Sequence, residues 1–118
     1  MVCVAVPTDD GFMVKLGHFG DGRFYLHIVF ENGRWRLRGC VENPYAGKHE
    51  HGDGGEERGK RPRILELNRG CDVLVAVAFG PGGEEFMRRH GLRVVKVRPR
   101  TSIADAIRAV EEELRIRL

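Results

Sequence analysis

Two short, unbroken apolar runs, Val2 to Val6 and Val73 to Ala78, constrain this chain more than any other feature. A strand with one wet face alternates apolar and polar side chains, whereas a strand covered on both faces reads as continuously apolar. Both runs are therefore expected to be central strands of a sheet with helices packed on its two sides. The segments around them supply the order. Phe24 to Phe30 reads as a second strand, and Asn32-Gly33 between apolar runs signals a two-residue hairpin. On the third strand Trp35, Leu37, Gly39 and Val41 alternate with Arg36, Arg38 and Cys40.

A short helix is expected over Arg63 to Asn68, ended by Gly70, and this crossover makes Val73 to Ala78 parallel to the first strand. The next helix, Gly82 to His90, carries Glu84 and Glu85 in its first turn, Arg88, Arg89 and His90 in its last, and Gly91 just beyond. Arg93 to Val97 is the fifth strand. The last helix opens on Ser102 as N-cap with Asp105 three residues on, and Ile103, Ile107, Val110 and Leu114 form its apolar stripe. Glu111 with Arg115 and Glu113 with Arg117 are i,i+4 pairs on its solvent side. The expected fold is α/β: a mixed five-stranded sheet in order 3-2-1-4-5, strand 2 antiparallel, flanked by helices, a ribonuclease H-like topology.

The 118 residues suffice for one domain spanning the chain. No apolar run approaches the roughly 18 to 20 residues that cross a bilayer, and the amino terminus lacks a signal-peptide pattern, so a cytoplasmic protein without a membrane partner is expected. Net charge is only +3, a mild excess rather than a polybasic tail. Three cysteines without CxxC spacing argue against a disulfide framework and a self-contained zinc knuckle. High charge, abundant Arg and the absence of Gln point to a thermophile.

Ligands of open α/β sheets bind beyond the carboxyl ends of the strands at the point where strand order switches, here between strands one and four. Thr8 and Asp9 are expected to line that crevice with Gly80, Pro81, Gly82 and Gly83. The latter turn opens a helix whose free N–H groups suit an anion, although it also reads as an ordinary strand-to-helix connection. Arg98 and Arg100 leave the fifth strand at this edge, either adding positive field or serving as solvated surface. His18, in the glycine-rich loop from Thr8 to Arg23, hangs over the same edge as a metal ligand or a packing histidine. Cys40 near the end of the third strand, with His49 and His51 in the loop from Asn43 to Pro62, is expected to reach the same rim and add metal ligands. His49 and His51 also read as surface residues of a loop that stays mobile until a ligand orders it. Cys3 and Cys71 start adjacent strands at the opposite end and read as core thiols.

Four segments, in this order and spacing, carry a resemblance that covers nearly the whole chain: Val4-Ala5-Val6-Pro7-Thr8-Asp9, His18-Phe19-Gly20, Glu42-Asn43-Pro44 and Gly80-Pro81-Gly82. Together they resemble the dinitrogenase iron-molybdenum cofactor biosynthesis family. The resemblance implies a ribonuclease H-like fold, no catalysis by the isolated domain, and a metallocluster site with the histidine matching His18 as candidate ligand. It further implies a metal-sulfur cluster, of iron-molybdenum or molybdenum-sulfur type, as the bound group, with a protein that donates or accepts that cluster as a partner. Nuclease chemistry on this topology needs carboxylates on the first and fourth strands to hold two metal ions, and Val2 to Val6 and Val73 to Ala78 contain none. No P-loop or GxGxxG is present either, so a binding protein rather than an enzyme is expected. The alternative is a nucleic-acid-binding domain without nuclease activity that uses Arg34, Trp35, Arg36 and Arg38 as its contact face.

Overall fold

The computed structural model describes residues 1–48 and 59–116. Five strands, β1 (Val2–Thr8), β2 (Phe24–Glu31), β3 (Arg34–Glu42), β4 (Val73–Ala76) and β5 (Arg93–Lys96), form one sheet in the order β3-β2-β1-β4-β5. β2 is antiparallel to β1 and β3, while β4 is parallel to β1 and β5, as the apolar runs and connection lengths require. At the β2–β3 turn Asn32 and Gly33 both have positive φ, 54° and 79°, the backbone of a type I′ hairpin.

Three α-helices occur among the described residues: α1 (Lys60–Leu67), α2 (Gly83–Arg89) and α3 (Ile103–Leu114). Alternate residues of the central strands divide the core into two layers. Cys3, Ala5, Tyr25, Val29, Leu74 and Ala76 face α1 and α2, meeting Ile64, Phe86 and Met87. Val4, Val6, Val73, Val75 and Val95 face α3, meeting Ala106 and Val110.

Several boundaries differ from the sequence reading, each for a local reason. β4 ends at Ala76 rather than Ala78, because the next residues leave the sheet: the Phe19 N–H donates to the Ala78 carbonyl at 2.8 Å and His18 bridges Ala78. α1 starts at Lys60, three residues earlier than expected, with Pro62 inside its first turn, where a missing N–H is tolerated. α3 is capped as expected, with the Asp105 N–H donating to Ser102 Oγ at 3.0 Å. Its expected Glu111–Arg115 pair is replaced: Glu111 accepts from Trp35 Nε1 at 2.9 Å, and Arg115 is the left-handed cap that ends the helix. Arg117 lies outside the described residues.

The bulge in β3 has the widest consequence. His27 pairs with Gly39 but Ile28 pairs with Leu37, so Arg38 is an extra residue and the alternation reverses there. Trp35 and Leu37 lie opposite Phe30 and Ile28 on the α3 side. Beyond the bulge Gly39 and Val41 pair with His27 and Tyr25 on the α1 side, and Cys40, opposite Leu26, falls on the α3 side.

Candidate functional site

The residues expected at the β1 edge separate into those consumed by their own loop and those that open onto a cavity. Thr8 belongs to the first set. It is fully buried, its hydroxyl donates to the Met13 carbonyl at 2.6 Å and accepts from the Gly11 N–H at 2.9 Å. Asp9 pairs with Lys15 at 2.8 Å and accepts the Arg23 N–H at 3.0 Å. Asp10 accepts the Met13 and Phe12 N–H groups, which hold its carboxyl below the usual range. These side chains fold the loop back on itself, so Thr8 and Asp9 do not line the His18 cavity.

His18 precedes a 3-10 turn, Phe19–Asp21, and that turn is clamped from below. The Phe19 ring is buried between Tyr25 and Phe79, with centroid separations of 5.0 and 5.5 Å. Tyr25 donates its hydroxyl to the Phe19 carbonyl at 2.8 Å; burial, with the Asp21 charge second, pushes that phenol well above its ordinary value, so it stays a donor. The Asn43 side-chain amide donates to the Gly20 and Gly22 carbonyls at 2.9 and 2.8 Å. Tyr25 and Asn43, neither proposed as site residues from sequence, therefore fix the turn while the His18 side chain stays 51% exposed.

A cavity of about 410 Å³ lies beside this turn, bounded by His18, Asp21, Lys60, Arg61, Phe79 and Gly80 among others. Pro81 and Gly83 also line it, whereas Gly82 turns its backbone toward the neighbouring groove over Glu84, Arg88 and Lys96. Lys60 pairs with Asp21 and donates to the Lys48 carbonyl at 2.7 Å. Arg61 reaches across from α1 to donate to the Pro81 carbonyl. Burial works against ionisation of Asp21, yet the Lys60 hydrogen bond and charge, the Gly47 N–H and His18 outweigh it, and the carboxyl titrates below 3.8. Asp21 Oδ2 is 3.9 Å from His18 Nδ1. Glycine is needed at one position here, Gly82, whereas Gly80 is merely close to His18. Gly82 has φ +76°, and a β-carbon there would sit 2.9 Å from the Arg61 guanidinium; at Gly80 it would come to 3.5 Å from His18 Nδ1.

The cations of the site are not those expected from sequence. Arg98 and Arg100 are exposed in the turn after β5, where the Arg98 carbonyl accepts from Thr101 Oγ1 at 2.7 Å, and that turn docks on the Met13–Val14 segment instead. Neither lines the His18 cavity. Their place is taken by Lys60 and Arg61, whose signal was available in Pro62, a residue type suited to the start of a helix. Cys40 is exposed and, through the bulge, sits on the α3 face of the sheet, away from the α1–α2 face that carries the cavity. His49 and His51 lie outside the described residues, as does half of the loop expected to be mobile. Among the described residues no three His, Cys, Asp or Glu side chains come together to hold a metal ion.

The proposed nucleic-acid face is likewise divided. Trp35 packs on Phe30 at 5.1 Å and bonds Glu111 on the α3 side, whereas Arg36 pairs opposite Val29 on the other side, where Arg38 approaches Gly70. Cys3 and Cys71 are buried, as expected. No helix among the described residues is long and apolar enough to cross a membrane.

Comparison with known proteins bears on both fold and family. No curated protein sequence matches the chain. Among solved structures, the chain is similar to a Thermotoga protein studied by NMR, provisionally named NifB and placed in the DUF35 family, with 24% identity and a TM-score of 0.66 over 95% of this chain and 89% of that one. It is also similar to PH0822, a crystal structure, with 25% identity and a TM-score of 0.65 over 95% and 90% of the two chains. The model of the dinitrogenase iron-molybdenum cofactor family matches residues 1–113, and the chain, with its His18 turn and Gly80–Gly83 turn on one cavity, belongs to that family.

Proposed function

We propose that this domain is a non-catalytic carrier of an anionic metal-sulfur cluster, iron-molybdenum cofactor-like or a precursor of it, seated in the cavity beside His18. The observation that carries this reading is the first turn of α1. It holds Lys60, Arg61 and Arg63, no acidic residue and no side-chain cap, at the helix end where the dipole already favours negative charge. Lys60 is paired with Asp21. An incoming anion is favoured by this positive helix end, and a half-exposed imidazole at the cavity rim supplies a ligand atom for one of its metals. One imidazole with a cationic surround suits a cluster that brings its own bridging sulfides better than a bare ion, which needs several protein ligands.

The cluster is cargo in this reading, passed from a donor protein to an acceptor, and the ribonuclease H-like sheet serves as a scaffold without the strand carboxylates that hydrolysis on such a sheet would require. Anaerobic reconstitution with iron, sulfide and tetrathiomolybdate tests it. The expected result is visible charge-transfer absorption that co-elutes with the protein. It weakens in His18→Ala and in the Lys60→Ala/Arg61→Ala double variant, by tenfold or more in affinity. Equal absorption in all three proteins would refute the cavity as the seat.

A further inference from the structure

At the end of the sheet remote from His18, two buried thiols adjoin each other. Cys3, in β1, is 0% exposed and Cys71, just before β4, is 7% exposed; both belong to the layer under α1. The parallel register that pairs Val4 with Val73 places Asp72 opposite Cys3. Backbone and side chain hold that register: the Asp72 N–H donates to the Cys3 carbonyl at 2.8 Å, and Asp72 Oδ2 accepts the Cys3 N–H at 2.9 Å. Cys71 is thus one residue out of step with Cys3 on the neighbouring strand. Cys71 lies in the turn before β4, its N–H donating to the Asn68 carbonyl at 3.1 Å, so its side chain enters the same core layer as Cys3 rather than the opposite face that strand alternation would give it. The two thiols share one core cluster and act on each other's ionisation, and the Arg38 guanidinium, presented by the β3 bulge, lies beside Cys71.

We propose that Cys3 and Cys71 form an oxidisable dithiol that closes to a disulfide within the folded protein on meeting a two-electron oxidant of the peroxide class, covalently tying β1 to β4. Cys71, the more exposed partner, reacts first. Its sulfur attacks one peroxide oxygen, the O–O bond breaks, and water leaves to give the sulfenic acid. The Cys3 sulfur then attacks the Cys71 sulfur; the S–O bond breaks, the hydroxyl leaves with the Cys3 proton as a second water, and the S–S bond forms. Two thiols lose two electrons and two protons, and one peroxide becomes two waters. Burial pushes the Cys71 thiol up, with Cys3 and Asp72 adding to it and Arg38 opposing, so the first step is slow beside that of an exposed cysteine and proceeds through opening of the 68–71 turn, where Gly70 has φ +88°. The link closes a long loop of the chain, so the oxidised protein is the more resistant to unfolding.

The test is made on folded wild-type protein whose exposed Cys40 has been blocked with iodoacetamide, and in parallel on Cys40→Ser. After hydrogen peroxide treatment, peptide mapping without reductant is expected to show Cys3 joined to Cys71, with the thermal midpoint raised by roughly 10 °C and restored by dithiothreitol. Cys3→Ser and Cys71→Ser should each lose the shift. Two free thiols recovered after peroxide, sulfinic acid without a link, or a link that appears only when the protein is first unfolded would each overturn the proposal.

Discussion

The two helices that border the His18 cavity are built on opposite electrostatic principles. α2 satisfies itself: Glu84 and Glu85 occupy its first turn, Arg88 and Arg89 its last, Glu84 pairs with Arg88 at 3.1 Å, and Lys96 from β5 completes the set at 2.6 Å. α1 reverses the pattern, with Lys60, Arg61 and Arg63 at its positive end and no basic residue in its last turn. Burial of Ile64, the Lys60–Asp21 pair and neutral contacts at its far end hold it. His27 Nε2 meets Asn68 Oδ1 at 2.9 Å, and the Asn68 amide donates to the Ile64 carbonyl at 2.9 Å. The difference teaches where a ligand belongs. A helix that opens on acids already answers its positive end, whereas one that opens on three cations and no acid adds their charge to the dipole and so favours an anion.

The largest effect expected from breaking this comparison comes from its shared floor. Phe19→Ala should lower unfolding free energy by about 3–5 kcal/mol, because it empties a site packed by two rings and releases the turn that presents His18. Denaturant midpoints would measure it, and a loss under about 1 kcal/mol would mean that the turn is held by the Tyr25 and Asn43 hydrogen bonds rather than by the ring.

Next is Asp21→Asn, expected to cost about 1–2 kcal/mol, a buried-pair figure discounted because the carboxylate is partly exposed. Its folded carboxyl titrates below the ordinary 3.8, so the unfolded chain takes up the proton first as pH falls. The contribution is therefore complete above about pH 4 and is lost as pH drops through the lowered value. The wild-type midpoint should fall in that window, and the Asn variant should lose this part of the slope.

At the other end of α1, His27 is buried and held neutral, mainly by desolvation, below its ordinary 6.5. Unfolded chains protonate at that position before folded ones do, so stability is complete above pH 6.5 and declines below it. Thermal scans between pH 7 and 5 should show a decline in wild type that is reduced in His27→Gln, although that variant has a lower midpoint at pH 7. α2 provides the smallest effect. Glu84→Gln should cost under about 1 kcal/mol, most of it removed by added salt, since its partners are half-exposed.

Local signals were legible where one segment carried them whole. Continuous apolar runs fixed β1 and β4, Asn32-Gly33 fixed the hairpin, and Ser102 with its four-residue spacing fixed α3. What escaped were features that depend on two distant segments. The β3 alternation cannot reveal the bulge at Arg38, because a bulge is defined by partner strand β2, and the bulge puts Cys40, expected at the cavity rim, on the α3 face. Thr8 and Asp9 lie at the expected strand end, but only the folded loop shows that Met13, Lys15 and Arg23 use up their polar atoms. Lys60 and Arg61 were absorbed into the reading of a glycine-rich loop, although Pro62 already marked a helix start. His18 is placed by Phe19 docking on Ala78, a contact across many residues of chain that no local pattern encodes.

The central claim, that one imidazole and the α1 cations seat a metal-sulfur cluster, is tested most directly by asking which atom touches the metal. Protein labelled with 15N-histidine would be loaded anaerobically with the iron-molybdenum-sulfur cluster, poised in a paramagnetic state, and examined by pulsed EPR. The account predicts a histidine nitrogen coupling that persists in His27→Gln and His90→Gln but disappears in His18→Ala. Coupling unchanged in His18→Ala, or none in the wild type at full loading, would contradict it.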